Sequence, residues 1–287
     1  MQAPTRNLAL FCDFENVALG VRDARYSAFD IKKVLERLLL KGNIVVKKAY
    51  CDWARYKEFK PAMHEAAFEL IEIPHLRMSG KNSADIRMVV DALDLCYTKA
   101  HVDTFVIISG DSDFSPLVSK LRENNKVVIG VGVKSSTSDL LTSNCDEFIF
   151  YDDLVRDSEK KTKRKQQAAK KKTKKKKKKA ASKSGTQATP DSNNDAQNAE
   201  DQRRQEGFDL VLETIEALFR DRDEAEKVWG SMVKQTLKRR RPGFSESYHG
   251  FKSFGQLLED MQSEGLVELK HDEKSGGYII ESFDAGD

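Results

Sequence analysis

Four aspartates in the first 115 residues are placed as a set that could do chemistry together. Asp13 follows one apolar run, and Asp111 and Asp113 follow another. Asp85 opens a third apolar stretch. Because neighbouring strands of a parallel sheet end on one edge, we expect these carboxylates to converge there. Crowded carboxylates raise each other's pKa, and a hard divalent cation with oxygen ligands, Mg²⁺ or Mn²⁺, relieves that repulsion. The pattern points to hydrolysis of phosphodiester bonds.

Each carboxylate also has a structural interpretation that needs no chemistry. Asp13 could form an Asx turn that leads out of its strand, and Asp85 could cap the helix that it opens. Asp113 could cap the helix that follows it, whereas no such role is expected for Asp111. Asp91 lies six residues beyond Asp85, so their side chains point in different directions on one helix. We interpret Asp91 as a supporting or structural residue.

Polar residues near the aspartates in sequence extend the candidate site. Asn16 lies three residues after Asp13, and its amide could hold a scissile phosphate or a metal-bound water. Ser109 could hydrogen-bond the cluster or a phosphate, and Gly110 lets the backbone approach a ligand closely. Lys81 lies on a Gly/Ser loop, where it could meet a phosphate or equally remain exposed and uninvolved.

Short apolar runs alternate with amphipathic stretches over about residues 6–157. Strands that alternate with helices predict a parallel, doubly wound α/β sheet. The predicted strands are Leu8–Cys12, Ile44–Tyr50, Leu70–Pro74, Phe105–Ser109, Val127–Val133 and Glu147–Tyr151. The predicted helices are Ile31–Lys41, Tyr56–Ala67, Ala84–Ala100 and Phe114–Asn124. This arrangement would bring the aspartates to one edge of the sheet.

The charge of the chain is divided sharply along the sequence. The net charge is only +3, yet residues 160–183 contain 14 Lys, 1 Arg and no acidic residue. Taking those 15 from the 49 basic residues leaves 34 against 46 acidic ones, a net charge of −12. Such a run repels itself and attracts polyanions. We interpret residues 159–205 as a Lys-rich disordered linker that contacts RNA or DNA without sequence preference. The alternative is a solvated spacer.

A second domain is predicted after the linker. Amphipathic helices over Phe208–Arg220, Val228–Arg240 and Ser253–Ser263 precede a hairpin of Val267–Lys270 and Tyr278–Glu281. Three helices followed by a two-stranded wing are typical of a winged helix-turn-helix, which binds nucleic acid or protein. A basic cluster at one helix end, in a segment that is net acidic, indicates phosphate contact. Its members are Lys234, Lys238, Arg239, Arg240 and Arg241.

Composition limits the classes of function. No apolar run approaches the length of a membrane span, and the N-terminus lacks a signal-peptide pattern. The four cysteines lie about 40 to 50 residues apart, so no pair has zinc-ligand or redox-motif spacing. No nucleophilic-serine motif or phosphate-cradling P-loop motif occurs. We expect a protein of a reducing, cytoplasmic environment that does not act at a membrane.

Three segments in a specific order resemble the NYN domain, the LabA-like branch of the PIN-like nuclease superfamily. They are Phe11–Asn16, Lys81–Asp85 and Ile108–Phe114, within about residues 6–155. The resemblance implies a Rossmann-like α/β sheet, acidic residues that bind Mg²⁺ or Mn²⁺, and an activity that cuts RNA. By position it assigns the acidic set to Asp13, Asp85, Asp111 and Asp113, with Asn16 as their polar companion.

The C-terminal segment, about residues 207–281, resembles an OST-HTH (LOTUS) domain. The residues that carry the likeness are Val228–Lys234, Arg241–Phe244 and Tyr248–Leu258. The resemblance implies a module that binds RNA or a protein partner and that often accompanies NYN domains.

These observations favour a metal-dependent endoribonuclease that acts on single-stranded RNA. In this interpretation residues 1–158 form the NYN/PIN-like nuclease domain and residues 206–287 the winged-helix domain that recruits RNA. An RNA-binding regulatory adaptor with a weakly active or inactive nuclease-like domain is the alternative. A third hypothesis is another phosphate-processing enzyme on the same scaffold, such as a nucleotidase or a DNA nuclease.

Overall fold

The structure, a computed structural model, describes residues 6–73, 83–159, 192–221, 227–273 and 276–284, with the backbone alone over 192–199. The chain divides into two units, Met1–Lys177 and Lys178–Asp287. Each unit has its own hydrophobic core. Among the helices described, none combines the length and the apolar character that a membrane crossing requires.

The described part of the first unit contains a sheet of six parallel strands. They are β1 (Arg6–Asp13), β2 (Gly42–Cys51), β3 (Glu69–Glu72), β4 (Thr104–Ile108), β5 (Val127–Gly132) and β6 (Glu147–Phe150). In the sheet they lie in the order β3-β2-β1-β4-β5-β6. The chain winds outwards from β1 to β3 and then returns to β4 on the other side of β1. Doubly wound sheets bind ligands at such a reversal. The predicted α/β, Rossmann-like fold class is confirmed.

Helices cover both faces of this sheet. They are α1 (Phe14–Asp23), α2 (Ile31–Lys41), α3 (Lys60–Glu65), α4 (Ser83–Thr98), α5 (Ser115–Glu123), α6 (Asp139–Asn144) and α7 (151–159). The bounds of α2 are those predicted, and α4 and α5 lie within two residues of prediction. The sequence pattern missed α1, α6 and α7, because α1 and α7 each follow a strand without a loop and α6 is only six residues long.

The strand β1 is buried on both faces, as expected of a central strand in a parallel sheet. Its side chains alternate between two cores: Leu8, Leu10 and Cys12 contribute to one, and Ala9 and Phe11 to the other. All five are fully buried. The end of β1 is therefore held rigidly, and so is the aspartate that closes it.

Aromatic packing holds α1 against the sheet directly after β1. Phe14 is fully buried, and its ring lies 4.9 Å from that of Trp53. Gly20 on the same helix lets it approach the loop after β5, because a Cβ there would lie 2.3 Å from the Ser136 hydroxyl oxygen. These contacts fix the first turn of α1 over the sheet edge.

The second unit has the element order of a winged helix. Its elements are α8 (Ser192–Asp221), β7 (Val228–Trp229), α9 (Gly230–Arg240), α10 (Phe254–Ser263), β8 (Val267–Asp272) and β9 (Gly277–Phe283). The strands form an antiparallel sheet in the order β7-β9-β8. The predicted helix at residue 228 begins two residues later, because Val228 and Trp229 pair with β9. The predicted winged-helix architecture is otherwise observed.

The predicted linker is corrected at its C-terminal end. Residues 192–205 are helical and form the start of α8. Residues 199–205 of this segment are, apart from Asp201, all Ala, Glu, Gln or Arg, which favour helix. Arg204 also anchors it, with its guanidinium 2.8 Å from the Asp260 carboxylate and over the ring of Phe251. The predicted disorder over 160–191 lies outside the described residues.

Candidate functional site

Asp13 ends β1 at the reversal between β1 and β4, and its side chain is almost entirely buried, at 7% exposed. Its Oδ1 accepts a hydrogen bond from the backbone N–H of Asn16 at 3.4 Å, which caps α1. Its Oδ2 accepts one from the Ser109 hydroxyl at 3.0 Å. Asp13 therefore has a local structural role, because it accepts a backbone hydrogen bond just after its strand. It also supplies a buried carboxylate at the position where ligands bind in this fold class.

Ser109 connects two of the aspartates. It is fully buried just after β4, donates to Asp13 and accepts the backbone N–H of Asp111 at 3.2 Å. The hydroxyl is enclosed and engaged on both sides, and contact between Ser109 and a substrate stays a prediction. Of the two roles expected from sequence, the structure supports the hydrogen bond to the cluster.

Asn16 fixes the loop after β4 against α1. Its Oδ1 accepts the backbone N–H of Gly110 at 2.9 Å. A Cβ on Gly110 would lie 2.4 Å from the carbonyl oxygen of Ser136, so this close approach requires glycine. The side-chain oxygen of Asn16 is thus used within the protein, and its amide nitrogen is the group left for a phosphate or water.

Asp111 provides the cap that sequence reasoning assigned to Asp113. A 3₁₀ turn at Ser112–Phe114 begins directly after Asp111, whose Oδ1 accepts the backbone N–H of Asp113 at 3.0 Å. The assignment was wrong because the 3₁₀ turn occupies the three residues directly before α5 and has its acceptor at Asp111. Asp113 is exposed, and Asp85 lies half-buried in the first turn of α4.

Electrostatic repulsion shows that the aspartates lie near one another. Burial, with contributions from Asp85 and Asp111, raises the pKa of Asp13 to about 7. The pKa of Asp85 is also raised, by burial and then by Asp111, Asp113 and Glu15. The sheet edge therefore gathers the other three predicted aspartates within electrostatic range of Asp85.

Glu15 is an acidic neighbour of this cluster that sequence reasoning did not single out. It lies in the first turn of α1, adds to the field at Asp85, and forms an ion pair with Arg55 at 3.4 Å. Its position in the sequence indicates a place beside the acidic cluster only once α1 is known to begin at Phe14, because Glu15 then lies in the first turn of that helix.

The donor set fits a hard divalent cation in its chemistry. Four carboxylates repel one another, and one is buried with a pKa raised to about 7. Oxygen ligands with unrelieved negative charge are those that Mg²⁺ and Mn²⁺ prefer. Within the residues described, no three His, Cys, Asp or Glu side chains are grouped closely enough to hold a metal ion. Asp13 and Asp111 each use one oxygen to cap a turn or helix.

Asp91 faces away from this cluster and towards β2. Its carboxylate accepts the Tyr50 hydroxyl at 2.8 Å and pairs with Lys48 at 3.3 Å and Arg87 at 3.1 Å. These contacts give Asp91 a structural role in joining α4 to β2. Lys81, predicted to meet a phosphate, lies outside the described residues.

The predicted basic cluster of the second unit divides into paired and exposed cations. Arg240 is 8% exposed and lies 3.4 Å from Glu213, and Lys234 pairs with Glu246 at 2.9 Å. Arg239 is partly buried, which lowers its pKa, and it donates to Thr236. Lys238 and Arg241 are exposed. Of the five cations predicted to contact phosphate, Arg240 is largely buried and has its charge balanced by Glu213, and phosphate contact by all five stays a prediction.

An exposed aromatic ring lies in the same unit. Tyr248 is 59% exposed, and the Arg203 guanidinium lies over its ring at 5.2 Å from the centroid. The helix α10, by contrast, contains no basic residue, and it carries Glu259 and Asp260. In a helix-turn-helix the corresponding helix enters the major groove of DNA. An acidic helix is unsuited to that contact.

Comparisons with known proteins find similarity over part of the chain. Residues 7–153 match the NYN domain family. An uncharacterized protein of Methanocaldococcus jannaschii is 28% identical over 120 residues, 42% of this chain and 47% of that protein. The Meiosis regulator and mRNA stability factor 1 of Xenopus tropicalis is 25% identical over 157 residues, 55% of this chain and 9% of that protein. This chain thus covers about half of the archaeal relative and a small part of the frog protein.

A solved structure is also similar. It is a crystal structure of a Vibrio parahaemolyticus protein of unknown function, with 28% sequence identity and a TM-score of 0.48. The likeness covers 54% of this chain and 98% of the Vibrio chain.

Proposed function

Because the chain belongs to the NYN domain family, whose domains are nuclease-like, we propose that it is a metal-dependent endoribonuclease. The observation that carries the proposal is the buried carboxylate of Asp13 at the reversal of the sheet. It is held there by Ser109, and Asp85 and Asp111 raise its pKa. A buried group with a strongly raised pKa in a ligand-binding position is a functional candidate.

In this proposal Asp13, Asp85, Asp111 and Asp113 hold one or two Mg²⁺ or Mn²⁺ ions. A bound ion would activate water for in-line attack on phosphorus and stabilise charge on the leaving oxygen. Ser109 keeps the Asp13 carboxylate aimed at the site. The amide nitrogen of Asn16 orients phosphate or water.

The loop before α4 completes the proposed substrate contacts of the first unit. Lys81 would neutralise nonbridging oxygens of the scissile phosphate, since a lysine ammonium is a strong donor to phosphate. The proposal for Lys81 rests on sequence alone.

The second unit is proposed to recruit single-stranded RNA as an OST-HTH-type module, over residues 206–287. The exposed cations Lys238 and Arg241 would contact phosphates, and the exposed ring of Tyr248 would stack on an unpaired base. The lysine-rich run at 160–183 would raise the local concentration of RNA. A protein partner for this unit is compatible with the same surface.

The name of the frog relative, an mRNA stability factor, supports an RNA substrate. We also propose a reducing compartment, the cytoplasm, because all four cysteines are free and three of them are buried.

An RNA-binding regulatory adaptor is the second candidate. The observation that favours it is the spacing of the carboxylates, since no three in the described part of the chain are close enough for one ion. In that case the nuclease-like domain would be weakly active or inactive, and the second unit would carry the function.

Cleavage assays with defined metals separate the two candidates. Labelled single-stranded RNA and DNA are incubated with the wild type, Asp111→Asn and Asp94→Asn, in Mn²⁺, Mg²⁺ or EDTA. Asp94 is an exposed residue of α4 and serves as the matched control. We expect metal-dependent cleavage of RNA that Asp111→Asn lowers by ~10²-fold or more, in the range for loss of one electrostatic catalytic group. Binding without cleavage in every condition would overturn the nuclease and favour the adaptor.

A further inference from the structure

An open groove of about 740 Å³ adjoins the candidate site in the first unit. Asp85 and Asp113 line one part of it, so the groove and the acidic cluster share two residues. The remaining walls come from α4, the start of α5 and α6. Its volume falls within the roughly 300–1,000 Å³ that is usual for small-molecule sites.

The walls of the groove are apolar and exposed. Ile86 and Val90, one helical turn apart on α4, are 64% and 55% exposed, and Leu140 on α6 is 57% exposed. These are three of the six large apolar side chains that are exposed among the described residues. A contiguous patch of exposed apolar side chains often marks a binding surface, whereas exposed apolar side chains that are scattered singly are normal.

Ser115 supplies an unpaired polar group in this apolar setting. It lines the groove and is only 6% exposed, and its hydroxyl oxygen has no hydrogen-bond partner in the described structure. Buried polar groups are nearly always hydrogen-bonded, and leaving one unpaired costs about 1–3 kcal/mol. The oxygen itself is enclosed beneath the groove surface, so rotation of the Ser115 side chain would be needed to present the hydroxyl to a ligand with a hydrogen-bonding edge.

We propose that the groove binds the base of the nucleotide next to the cleaved bond. A base has flat apolar faces, which suit Ile86, Val90 and Leu140, and a polar edge, which suits the Ser115 hydroxyl. The shared carboxylates place that base directly beside the phosphate that the acidic cluster would act on. This assignment rests on the proposed function, since the base is that of the RNA substrate.

The groove also accounts for selection of single strands. A base in a duplex is stacked and paired, so it cannot enter a side groove, whereas an unpaired base can be turned out at low cost. A serine hydroxyl both donates and accepts, so the groove would favour a base without reading one base exclusively.

Affinity and cleavage are measured on RNA oligonucleotides that carry a single abasic nucleotide. In one oligonucleotide it adjoins the cleaved bond, and in the other it lies four nucleotides away. The proteins are the wild type, Ser115→Ala, Val90→Ala and the control Val45→Ala. Val45 is also an exposed valine, at 44%, and lies near the start of β2. We expect Ser115→Ala and Val90→Ala to lower kcat/KM on intact RNA about 5- to 10-fold and to leave the adjacent-abasic substrate unchanged.

A photocrosslinking arm tests the groove without relying on cleavage. RNA with 4-thiouridine at each position is crosslinked in EDTA, and the labelled residues are mapped by mass spectrometry. Crosslinks to α4, α5 or α6 residues of the groove, reduced by Val90→Ala and not by Val45→Ala, support the proposal even if no RNA is cleaved. Crosslinks elsewhere, with equal affinities for all variants, overturn the base site and leave the nuclease proposal standing. Loss of self-association in Val90→Ala, with RNA binding unchanged, would instead assign the groove to a second copy of the chain.

Discussion

The Asp13 carboxylate is buried between the ends of β1 and β4, where it accepts hydrogen bonds from Ser109 and Asn16. These bonds lower its pKa, but burial and the charge of Asp85 outweigh them, and the pKa rises to about 7. Each pKa unit corresponds to about 1.4 kcal/mol, so the ionised side chain costs the folded protein a few kcal/mol. A bound cation would relieve that cost, so metal binding at Asp13 would raise the free energy of unfolding.

Stability in EDTA is expected to depend on pH through Asp13. The pKa of Asp13 is about 7 in the folded protein, whereas the unfolded chain releases this proton near pH 3.8, the ordinary pKa of an aspartate. The folded state therefore binds more protons between these values, and the free energy of unfolding falls as pH rises through them. Asp13→Asn removes this titration, so its melting temperature should rise relative to wild type from pH 4 to pH 7.

Thermal unfolding across this pH range, with Asp94→Asn as the control, checks the prediction. A difference between Asp13→Asn and wild type that stays constant from pH 4 to pH 8 would contradict it. Addition of Mn²⁺ at pH 7.5 should raise the melting temperature of the wild type and not that of the variant, because a bound ligand stabilises only the state that binds it.

At the scale of elements, the helix α4 contributes side chains to three different parts of the first unit. Its first turn presents Asp85 to the acidic cluster, and Ile86 and Val90 line the groove. A further side carries Asp91, which ties the helix to β2 through Tyr50. Because these contacts set the rotation of α4 about its axis, they also set the direction in which Asp85 points.

Asp91→Asn is expected to destabilise the first unit. It would affect the acidic cluster only through the position of α4, which carries Asp85. The change weakens the ion pairs with Lys48 and the exposed Arg87 and leaves the partly buried Lys48 underpaired, at a cost of about 1–3 kcal/mol. Urea unfolding measures the loss, and Asp94→Asn should stay within about 0.5 kcal/mol of wild type, as is usual for exposed positions. Loss of metal binding with stability unchanged would show instead that Asp91 is a ligand.

At the scale of the molecule, the excess of basic charge is concentrated in one short segment of the sequence. The 15 cations of residues 160–183 account for the basic character of the chain, and the remainder has a net charge of −12. In the second unit, Arg240 and Lys234 are paired with glutamates, so fewer cations are available to RNA than the sequence suggests. The run of lysines should therefore dominate the electrostatic part of RNA binding.

Replacing residues 160–183 with a Gly/Ser segment of equal length tests this role while preserving reach. RNA affinity should fall, and the logarithm of affinity should depend less steeply on salt, because each neutralised phosphate of a single strand contributes about −0.7 to the slope. Filter binding or fluorescence anisotropy from 50 to 300 mM salt measures it. An unchanged slope would show that the lysines serve only as a spacer.

The sequence by itself determined the six strands of the first unit and the candidate set of aspartates. Apolar runs located the six strands because central parallel strands are buried on both faces and carry few polar residues. The bounds of α2 were predicted correctly because its cap at Asp30 and its amphipathic pattern can both be read from the local sequence. Three motifs in order were then enough to assign the family.

Tertiary structure alone decided how those residues are used. Ser109 meets Asp13 across 96 positions of sequence, and no local pattern reports that such a hydroxyl is enclosed. The turn that makes Asp111 the cap, the pairing of Arg240 with Glu213 and the unpaired Ser115 hydroxyl each follow from the same cause. Periodicity predicts which side of an element is buried, whereas the partner of a buried polar atom is set by the element packed against it.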